Sequence, residues 1–411
     1  MDTEMYVAIP NWFNANPTGK EAGYTIRKAL KGVPGIPQGP RLFHKKSKGI
    51  FTSIGLTQAH ADYCLYFCSK RLIYLLVWVD DLFMFFPKSS SDAAKKLWAS
   101  LREQLDLDDW EEANDVLSCY VQRDRPNRTL TMSQEPAIRK ILLSCQLVDS
   151  NPKETPMVQN AKLSKKACPS QEEAAVMAAE QSWYRSTLAS MIWLVSWTRP
   201  DIAYAVSKLC KFMHNPGKDH LIALKRLIRY LRGTADFGLH YSFGASQSST
   251  KTGIYGYYDA SHADCPDTMR STLAYVMFFE GCPISWHTKL HTYVTTSTNH
   301  SEYCAAAKAA RESKWLEKLA IELGFGRFVQ PIDLFSDSKG AIAWAFNPVQ
   351  RSASKHVDLA DHYAREMQER GTITISHVRT EDMIADILTK ALGTAAFLKL
   401  AALLVTRLIL K

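Results

Sequence analysis

The sequence predicts a mixed α/β (α+β) protein built from successive regions of different character. Residues 1–148 mix strand-like and helix-like segments, and residues 149–250 predict a linker followed by helices. Residues 251–393 contain three strand-like segments in succession and then alternate helix and strand. That order is typical of a mixed sheet covered by helices. Residues 394–411 predict a closing helix.

The composition is that of a basic globular protein. The chain has 411 residues, of which 46% are hydrophobic and 22% charged, and its formal net charge is +9. This length allows two or three domains. The excess of Lys and Arg favours a polyanionic partner, because such cations displace counterions from phosphate backbones. A basic surface that only faces water is the alternative.

The termini and the cysteines indicate which compartments to expect. The N-terminal "MDTEMYVAIPNWF" has no basic segment followed by an apolar stretch, so no signal peptide is predicted. The apolar "AALLVTRLILK" is short and interrupted by Arg407, so it predicts a packing helix and no membrane span. Nine cysteines without disulfide-type or zinc-type spacing predict reduced thiols inside a cell.

The first region contains two adjacent carboxylates between apolar runs. "RLIYLLVWV" and "LFMFF" predict two strands of a hairpin with Asp80 and Asp81 at its turn. No basic residue lies between Ile73 and Pro87 to compensate these charges. Because burying uncompensated carboxylates is costly, the pair predicts a cation bound from outside the chain.

The middle region begins with a segment that lacks periodicity and continues into amphipathic helices. Residues 147–172 are rich in Pro, Lys, Ser and Asn and predict a linker or a connection wrapped on the surface. "KDHLIALKRLIRYLRG" predicts a helix that stops at Gly233. On one face it carries Lys225, Arg229 and Arg232. A solvated basic face and a stripe that contacts phosphates are both compatible with this spacing.

The last region places acids near the ends of its predicted elements. Asp259 ends the predicted strand "GIYGYYDAS", and Glu302 lies in the first turn of the long helix "SEYCAAAKAARESKWLEKLAIEL". Asp337 ends the strand "IDLFSD", and Asp386 lies in the closing helix around "EDMIADILTKAL". Strand ends and helix starts meet at one edge of such a sheet, so these acids are expected to converge. Two Mg²⁺ or Mn²⁺ ions would neutralise them and suit phosphodiester hydrolysis. Four unrelated surface acids are the alternative on spacing alone.

The segments around these acids resemble the ribonuclease H domain of copia-type retrotransposon polyproteins. They include "GYYDASHADCPDTMRSTLAY", "TSTNHSEYCAAAKAARESKWLEKL", "LFSDSKGAIAWAF" and "VRTEDMIADILTKAL", and the resemblance covers residues 252–393 in order. It implies an RNase H-like five-stranded sheet flanked by helices, and cleavage of the RNA strand of RNA–DNA hybrids. It also implies that the four acids are the catalytic tetrad. His356, in "SKHVDL", matches a family segment and either contacts substrate or starts a helix, whereas His377 is predicted to continue a strand.

The resemblance extends upstream into the reverse transcriptase of the same elements. "KALKGVPGIPQGPRLFHKK", which includes Gln38 and Arg41, is similar to the template and nucleotide grip. "LLVWVDDLFMFF" is similar to the YVDD box, with Trp78 in place of Tyr, which implies that Asp80 and Asp81 are metal ligands of a palm/thumb-like polymerase domain. The family's first catalytic motif, with a third aspartate, is expected before "MYVAIPNWF". The sequence therefore predicts a partial reverse transcriptase deficient in polymerase activity.

Together these patterns predict a retrotransposon-derived, metal-dependent ribonuclease H. The partners implied are an RNA–DNA hybrid, RNA template, DNA and other parts of the polyprotein, with no membrane partner. The expected location is intracellular, in cytoplasmic virus-like particles or the nucleus. Two alternatives stay open: an inactive nucleic-acid-binding remnant, or a working reverse transcriptase whose N-terminal part lies outside this chain.

Overall fold

The structure is a computed structural model whose contacts divide the chain into two units, Met1–Glu111 and Glu112–Lys411. It describes residues 6–10, 24–28, 39–79, 81–243, 251–329, 331–346 and 358–408. Three residues with predicted roles, Gln38, Asp80 and His356, lie outside the described residues.

Within its described residues, the first unit contains a two-stranded ladder, a four-stranded antiparallel sheet and two α-helices. Its elements are β1 (Tyr6–Pro10), β2 (Tyr24–Lys28), α1 (Gly39–Ser53), β3 (Thr57–Gln58), β4 (Leu65–Cys68), β5 (Ile73–Trp78), β6 (Asp81–Phe85) and α2 (Ser91–Arg102). Strands β5 and β6 pair in antiparallel register with Trp78 opposite Asp81, which confirms the predicted hairpin. Alternate residues of β5, such as Leu75, pack into a core with Phe51 of α1 and Leu97 of α2.

The second unit begins with an antiparallel sheet whose strands come from three different predicted regions, residues 1–148, 149–250 and 394–411. The elements are β7 (Asp115–Val116), β8 (Cys119–Asp124), β9 (Thr129–Ser133), α3 (Glu135–Ser144), β10 (Phe237–Ser242) and β16 (Thr406–Arg407). The strand order is β16-β10-β9-β8-β7. Because β9 forms its ladder with β10, residues 112–148 belong with the second unit, and the predicted boundary at residue 148 differs from the observed one. The predicted helical connection likewise ends in a strand.

Between β9 and β10 the chain forms a helical connection. Its helices are α4 (Gln171–Val176), α5 (Ala178–Trp197), α6 (Ala203–Cys210) and α7 (Lys218–Gly233). The apolar stripe predicted for α7 is buried at Leu224, Leu227 and Leu231. Residues 147–172 contain only a short 3₁₀ turn before α4 and bury Thr155 and Met157, so they form the surface-wrapped connection that the sequence allowed.

A five-stranded mixed sheet forms the centre of residues 251–393. Its strands are β11 (Ile254–Ser261), β12 (Thr272–Phe279), β13 (Cys282–Leu290), β14 (Ile332–Ser336) and β15 (Ile373–His377), in the order β13-β12-β11-β14-β15. The first three strands are antiparallel, and β11, β14 and β15 run parallel. The predicted mixed five-stranded sheet is confirmed. Gly256 lets β11 approach β12 closely, since a Cβ there would lie 2.4 Å from Met277 Sδ.

Helices cover this sheet on both faces. One face carries α8 (Thr298–Glu322), α9 (Lys339–Phe346) and α10 (Tyr363–Glu369), and the other carries α6. The last helix, α11 (Thr394–Ala401), packs against the 3₁₀ turn Ile384–Leu388. Tyr258 of β11 packs with α8, whereas its neighbour Tyr257 belongs to the core shared with the helical connection. Burial on both faces explains why β11 is almost continuously apolar or aromatic. The helix α8 ends just before Gly324, whose φ of +84° suits a helix C-terminus.

Two predictions for the C-terminal segment were wrong in detail. The helix expected around "EDMIADILTKAL" is a pair of 3₁₀ turns, Thr380–Asp382 and Ile384–Leu388. The closing helix predicted over residues 394–411 ends at Ala401, because the chain then turns and adds β16 to β10. None of the described helices has the length and apolar character needed to cross a membrane.

Candidate active site

Two of the predicted acids lie at the same edge of the sheet because their strands are parallel neighbours. Asp259 lies on β11 and Asp337 directly follows β14. The register pairs Tyr257 with Phe335, two residues before each acid. Equal offsets along parallel strands bring these two carboxylates to the same level of the sheet. Asp259 was predicted to end its strand, but it lies inside β11, two residues before the last residue, Ser261.

The other two acids approach from elements that pack against β11. Glu302 lies on α8 one turn after its start, and only 4% of its surface is exposed. Asp386 lies in the 3₁₀ turn Ile384–Leu388, which packs against β11 and β12. Its main-chain oxygen accepts hydrogen bonds from the N–H groups of Thr389 and Lys390. This tight turn directs the side chains of Thr389 and Lys390 toward the acids.

The structure brings three of the four predicted carboxylates into direct proximity. Oxygen atoms of Asp259, Glu302 and Asp337 lie within 4.8 Å of one another. Asp386 joins them through Lys390, whose Nζ lies 2.9 Å from Asp386 Oδ1 and 3.7 Å from Asp259 Oδ2. We call these four carboxylates the acidic site.

Burial and mutual repulsion dominate the electrostatics of the acidic site. Burial, followed by the charges of Asp259 and Asp337, raises the pKa of Glu302 to about 10. Burial and the charge of Asp259 raise the pKa of Asp386 to about 7, although Lys390 opposes the shift. Burial by itself would lower the pKa of Lys390, but the two neighbouring aspartates raise it overall. The site therefore carries more negative charge than its single lysine neutralises.

The donor set of the acidic site fits a hard divalent cation. Its side chains offer only carboxylate oxygens, which Mg²⁺ and Mn²⁺ prefer. Glu302 Oε2 is buried and has no hydrogen-bond partner among the described residues. A buried polar atom without a partner is unusual in a folded protein, and a carboxylate oxygen of this kind suits a cation ligand. A cation at this position would satisfy Glu302 and counter both the burial and the neighbouring charges that raise its pKa.

Sequence reasoning did not single out two side chains that complete this geometry. Lys390 contacts both Asp259 and Asp386, and Thr389 donates a hydrogen bond from its hydroxyl to Asp259 Oδ2. A basic residue four positions after a predicted metal ligand was the available signal for Lys390. No local signal marked Thr389, because its contact joins residues that are far apart in the chain.

The other described residues with predicted roles lie outside the acidic site. Arg41 on α1 and Asp81 on β6 are exposed. His377 is the last residue of β15, as predicted, and pairs with Ser336 next to Asp337.

On α7 the predicted basic face is partly engaged within the protein. Lys225 is exposed, but Arg229 Nε donates to Asn151 O at 2.6 Å and Arg232 Nε donates to Val148 O at 3.0 Å. These arginines therefore anchor the connection to α7. A phosphate contact by the same face stays a prediction.

Solved structures of two kinds are similar to the chain. The RNase H1 of the archaeon Halobacterium salinarum matches 33% of this chain and 93% of its own, with 17% identity and a TM-score of 0.24. A foamy viral protease-reverse transcriptase in complex with an RNA/DNA hybrid matches 91% of this chain and 44% of its own, with 15% identity and a TM-score of 0.48. No protein-family model matches the sequence.

Relatives with known names match nearly the whole chain. The retrovirus-related Pol polyprotein from transposon TNT 1-94 of Nicotiana tabacum is 33% identical over 97% of this chain and 29% of the relative. That from transposon RE1 of Arabidopsis thaliana is 30% identical over 97% of this chain and 26% of the relative. A putative transposon Ty5-1 protein of Saccharomyces cerevisiae is 26% identical over 76% of this chain and 96% of its own length. The chain spans less than a third of each Pol polyprotein, and it belongs to the family of retrovirus-related Pol polyproteins from copia-type transposons.

Proposed function

We propose that the acidic site hydrolyses the RNA strand of RNA–DNA hybrids with the help of divalent cations. The observation that carries this proposal is the convergence of three carboxylates from β11, α8 and the end of β14 within 4.8 Å. Similarity to Pol polyproteins over 97% of the chain supports a role in nucleic-acid metabolism. The chain's net charge of +9 supports a polyanionic substrate.

The carboxylates of the acidic site would hold the cations, and Lys390 would tune the charge around them. Two bound Mg²⁺ or Mn²⁺ ions supply an activated water and stabilise the leaving oxygen of a phosphodiester. Lys390 balances Asp386 and Asp259 in the absence of cations. Its side chain is 39% exposed, so its amine can also turn toward a phosphate of the substrate. Thr389 holds Asp259 in place through its hydroxyl.

Substrate recognition by such a site is expected to depend on backbone and shape. A nuclease that acts along a hybrid makes most of its contacts with phosphates, sugars and 2′-hydroxyl groups. The RNA strand, the DNA strand and other segments of a Pol polyprotein are therefore the proposed partners. Binding is expected to weaken steeply as salt is added.

The test is cleavage of a hybrid whose RNA strand carries an end label. The 411-residue protein is expected to produce RNA fragments with Mg²⁺ and none with a chelator, and Asp337→Asn is expected to abolish the cleavage. Asp333→Asn is the matched control, since Asp333 is an exposed acid on β14, four residues before Asp337. Equal cutting by wild type and Asp337→Asn would assign the activity to a contaminant. Hybrid binding without any cleavage would support the nucleic-acid-binding alternative.

A further inference from the structure

A second group of ligand-type side chains lies in the same domain, away from the acidic site. His291 directly follows β13, Cys304 lies on α8, and Asp361 lies in the 3₁₀ turn Leu359–His362. One possible ligand atom from each lies within 4.8 Å of the other two. All three residues are buried, with exposed fractions of 7%, 0% and 5%. We call them the His–Cys–Asp cluster.

The His–Cys–Asp cluster contains a buried negative charge without a positive counterpart. Asp361 Oδ2 accepts a hydrogen bond from the hydroxyl of Tyr293 and another from Cys304 Sγ at 3.4 Å. No salt bridge reaches Asp361 in the part of the chain that the structure describes. Neutral donors satisfy the hydrogen bonding of a carboxylate but leave the cost of burying its charge. A bound cation would offset that cost.

A fourth side chain beside the cluster lacks a partner on one ring atom. His300 is 1% exposed, and its Nδ1 accepts a hydrogen bond from the main-chain N–H of Thr296. Its Nε2 is buried and has no hydrogen-bond partner among the described residues. The imidazole lies 5.9 Å from the ring of Tyr293, and His300 precedes Cys304 by four residues on the same face of α8. Tyr293 itself contacts Cys304 Sγ and Asp361 through its hydroxyl, so the unsatisfied imidazole nitrogen of His300 lies on a ring that borders the cluster and is an available metal ligand.

We propose that His291, Cys304 and Asp361 bind a zinc-type transition metal, with His300 Nε2 as the fourth ligand. Imidazole, thiolate and carboxylate in a tetrahedral set are the ligands that Zn²⁺ takes in proteins. Mg²⁺ avoids nitrogen and sulfur donors, so the two sites select different ions by donor chemistry. On binding, Cys304 releases its thiol proton to solvent, because a thiol bound to zinc is deprotonated.

The position of the cluster on α8 indicates what a bound metal would do. Glu302 of the acidic site and Cys304 of the cluster are two residues apart on this helix, so they point about 200° apart around its axis. The metal would tie α8 to the segment after β13 and to the turn before α10. It would thereby hold in place the helix that carries Glu302.

The first experiment uses Co²⁺ as a spectroscopic substitute for Zn²⁺ in the full-length protein. The protein is stripped with a chelator, reduced, and titrated with Co²⁺ in excess Mg²⁺, which occupies oxygen-only sites. One equivalent of Co²⁺ is expected to produce a sulfur-to-cobalt charge-transfer band, and Zn²⁺ is expected to displace it. Absence of the band from wild-type protein with a folded circular dichroism spectrum would overturn the proposal.

Variants then assign the ligands. Cys304→Ser is expected to lose the band, and His300→Gln is expected to weaken Co²⁺ binding roughly tenfold or more. Cys282→Ser is the matched control, since Cys282 is 2% exposed on β13 and its Sγ faces His240 O. A band that persists in Cys304→Ser or disappears in Cys282→Ser would overturn the proposal. If Cys304→Ser fails to fold, Asp361→Asn keeps the sulfur and is expected to need a higher Co²⁺ concentration for the same band; unchanged affinity would count against the site.

The readout is independent of nuclease activity. If the protein does not cleave a hybrid, the cobalt band is still expected, so the metal site can be tested by itself. If the band is absent, the cleavage assay still tests the acidic site.

Discussion

The chain contains two sets of carboxylates that the sequence marks as metal ligands, and the fold treats them differently. Asp80 and Asp81 are adjacent in sequence; Asp80 lies outside the described residues, and Asp81 is exposed at the start of β6. Asp259, Glu302 and Asp337 lie in separate elements, yet their oxygens lie within 4.8 Å of one another and two of these residues are almost fully buried.

The difference in burial between these two sets shows which arrangement of carboxylates is better evidence for a metal site. An exposed acid such as Asp81 costs little, because water solvates it. Acids that converge from separate elements into a buried place lose that solvation and repel one another. A fold that contains such an arrangement carries a cost that a bound cation offsets, so convergence with burial is the stronger evidence. Predictions that distinguish the two sets follow, from the largest effect to the smallest.

The largest expected effect separates the two acid sets directly. Asp259→Asn is expected to lower the rate of hybrid cleavage by at least about a hundredfold, because misplaced reacting groups alone cost that much. Asp81→Asn is expected to leave the cleavage rate within about twofold, since catalytic mutations act through groups at the reacting centre. Rates measured with one labelled hybrid at saturating Mg²⁺ make the comparison. A comparable loss in both variants would contradict the distinction between the sets.

The pH dependence of stability provides a second comparison. In the metal-free folded protein the pKa of Glu302 is about 10, above its ordinary value of 4.5, and that of Asp386 is about 7, above 3.8. The folded protein therefore keeps protons that the unfolded chain releases, and these groups contribute less stability as pH rises. The loss from Asp386 falls between about pH 4 and 7, and that from Glu302 continues toward pH 10.

Thermal unfolding in a chelator is expected to show this loss when wild type is compared with Glu302→Gln, whose side chain does not titrate. The wild-type melting temperature should fall relative to the variant between pH 5 and 8. Added Mg²⁺ should raise the wild-type value more at pH 8 than at pH 5, because the ion competes with protons for the same oxygens. Parallel pH profiles for the two proteins would show that Glu302 keeps an ordinary pKa.

Removal of the lysine in the acidic site is expected to have a moderate effect. Lys390→Met deletes the positive charge that opposes the upward shift of the Asp386 pKa, so this pKa should rise further above about 7. Cleavage near neutral pH should fall about tenfold, the equivalent of one pKa unit, and the acid limb of the pH–rate profile should move to higher pH. Lys399→Met is the control, since Lys399 is an exposed lysine paired with Asp382. A uniform loss of rate without a shift of the profile would contradict the charge argument.

The smallest expected effect concerns charges that are grouped in sequence on α7. Arg229→Ala is expected to lower the free energy of unfolding by about 1 kcal/mol, since it removes the hydrogen bond to Asn151 O. Lys225→Ala should change it by less than about 0.5 kcal/mol, because Lys225 is exposed. Urea unfolding measures both. An Arg229→Ala protein with unchanged stability but a flatter salt dependence of hybrid binding would assign the face to phosphate contact.

Much of the fold could be predicted from local patterns. The apolar runs of β11 and β12, the amphipathic stripe of α7 and the length of α8 follow from hydrophobic patterning, which depends on neighbouring residues. The boundary at residue 148 could not be predicted, because β9 pairs with β10 more than 100 residues later. The 3₁₀ turn that holds Asp386 was also missed, since its residues favour a helix in isolation.

The sequence by itself determined the order of most elements and the membership of the polyprotein family, and it predicted which four acids form the acidic site. Only the tertiary structure decided that Lys390 links Asp386 to Asp259, and that His291, Cys304 and Asp361 meet on the other side of α8. The physical reason is that hydrophobic periodicity in the sequence indicates only which face of each element packs into the core. Contacts between distant residues depend on strand order, register and helix packing, which exist only once the chain has folded.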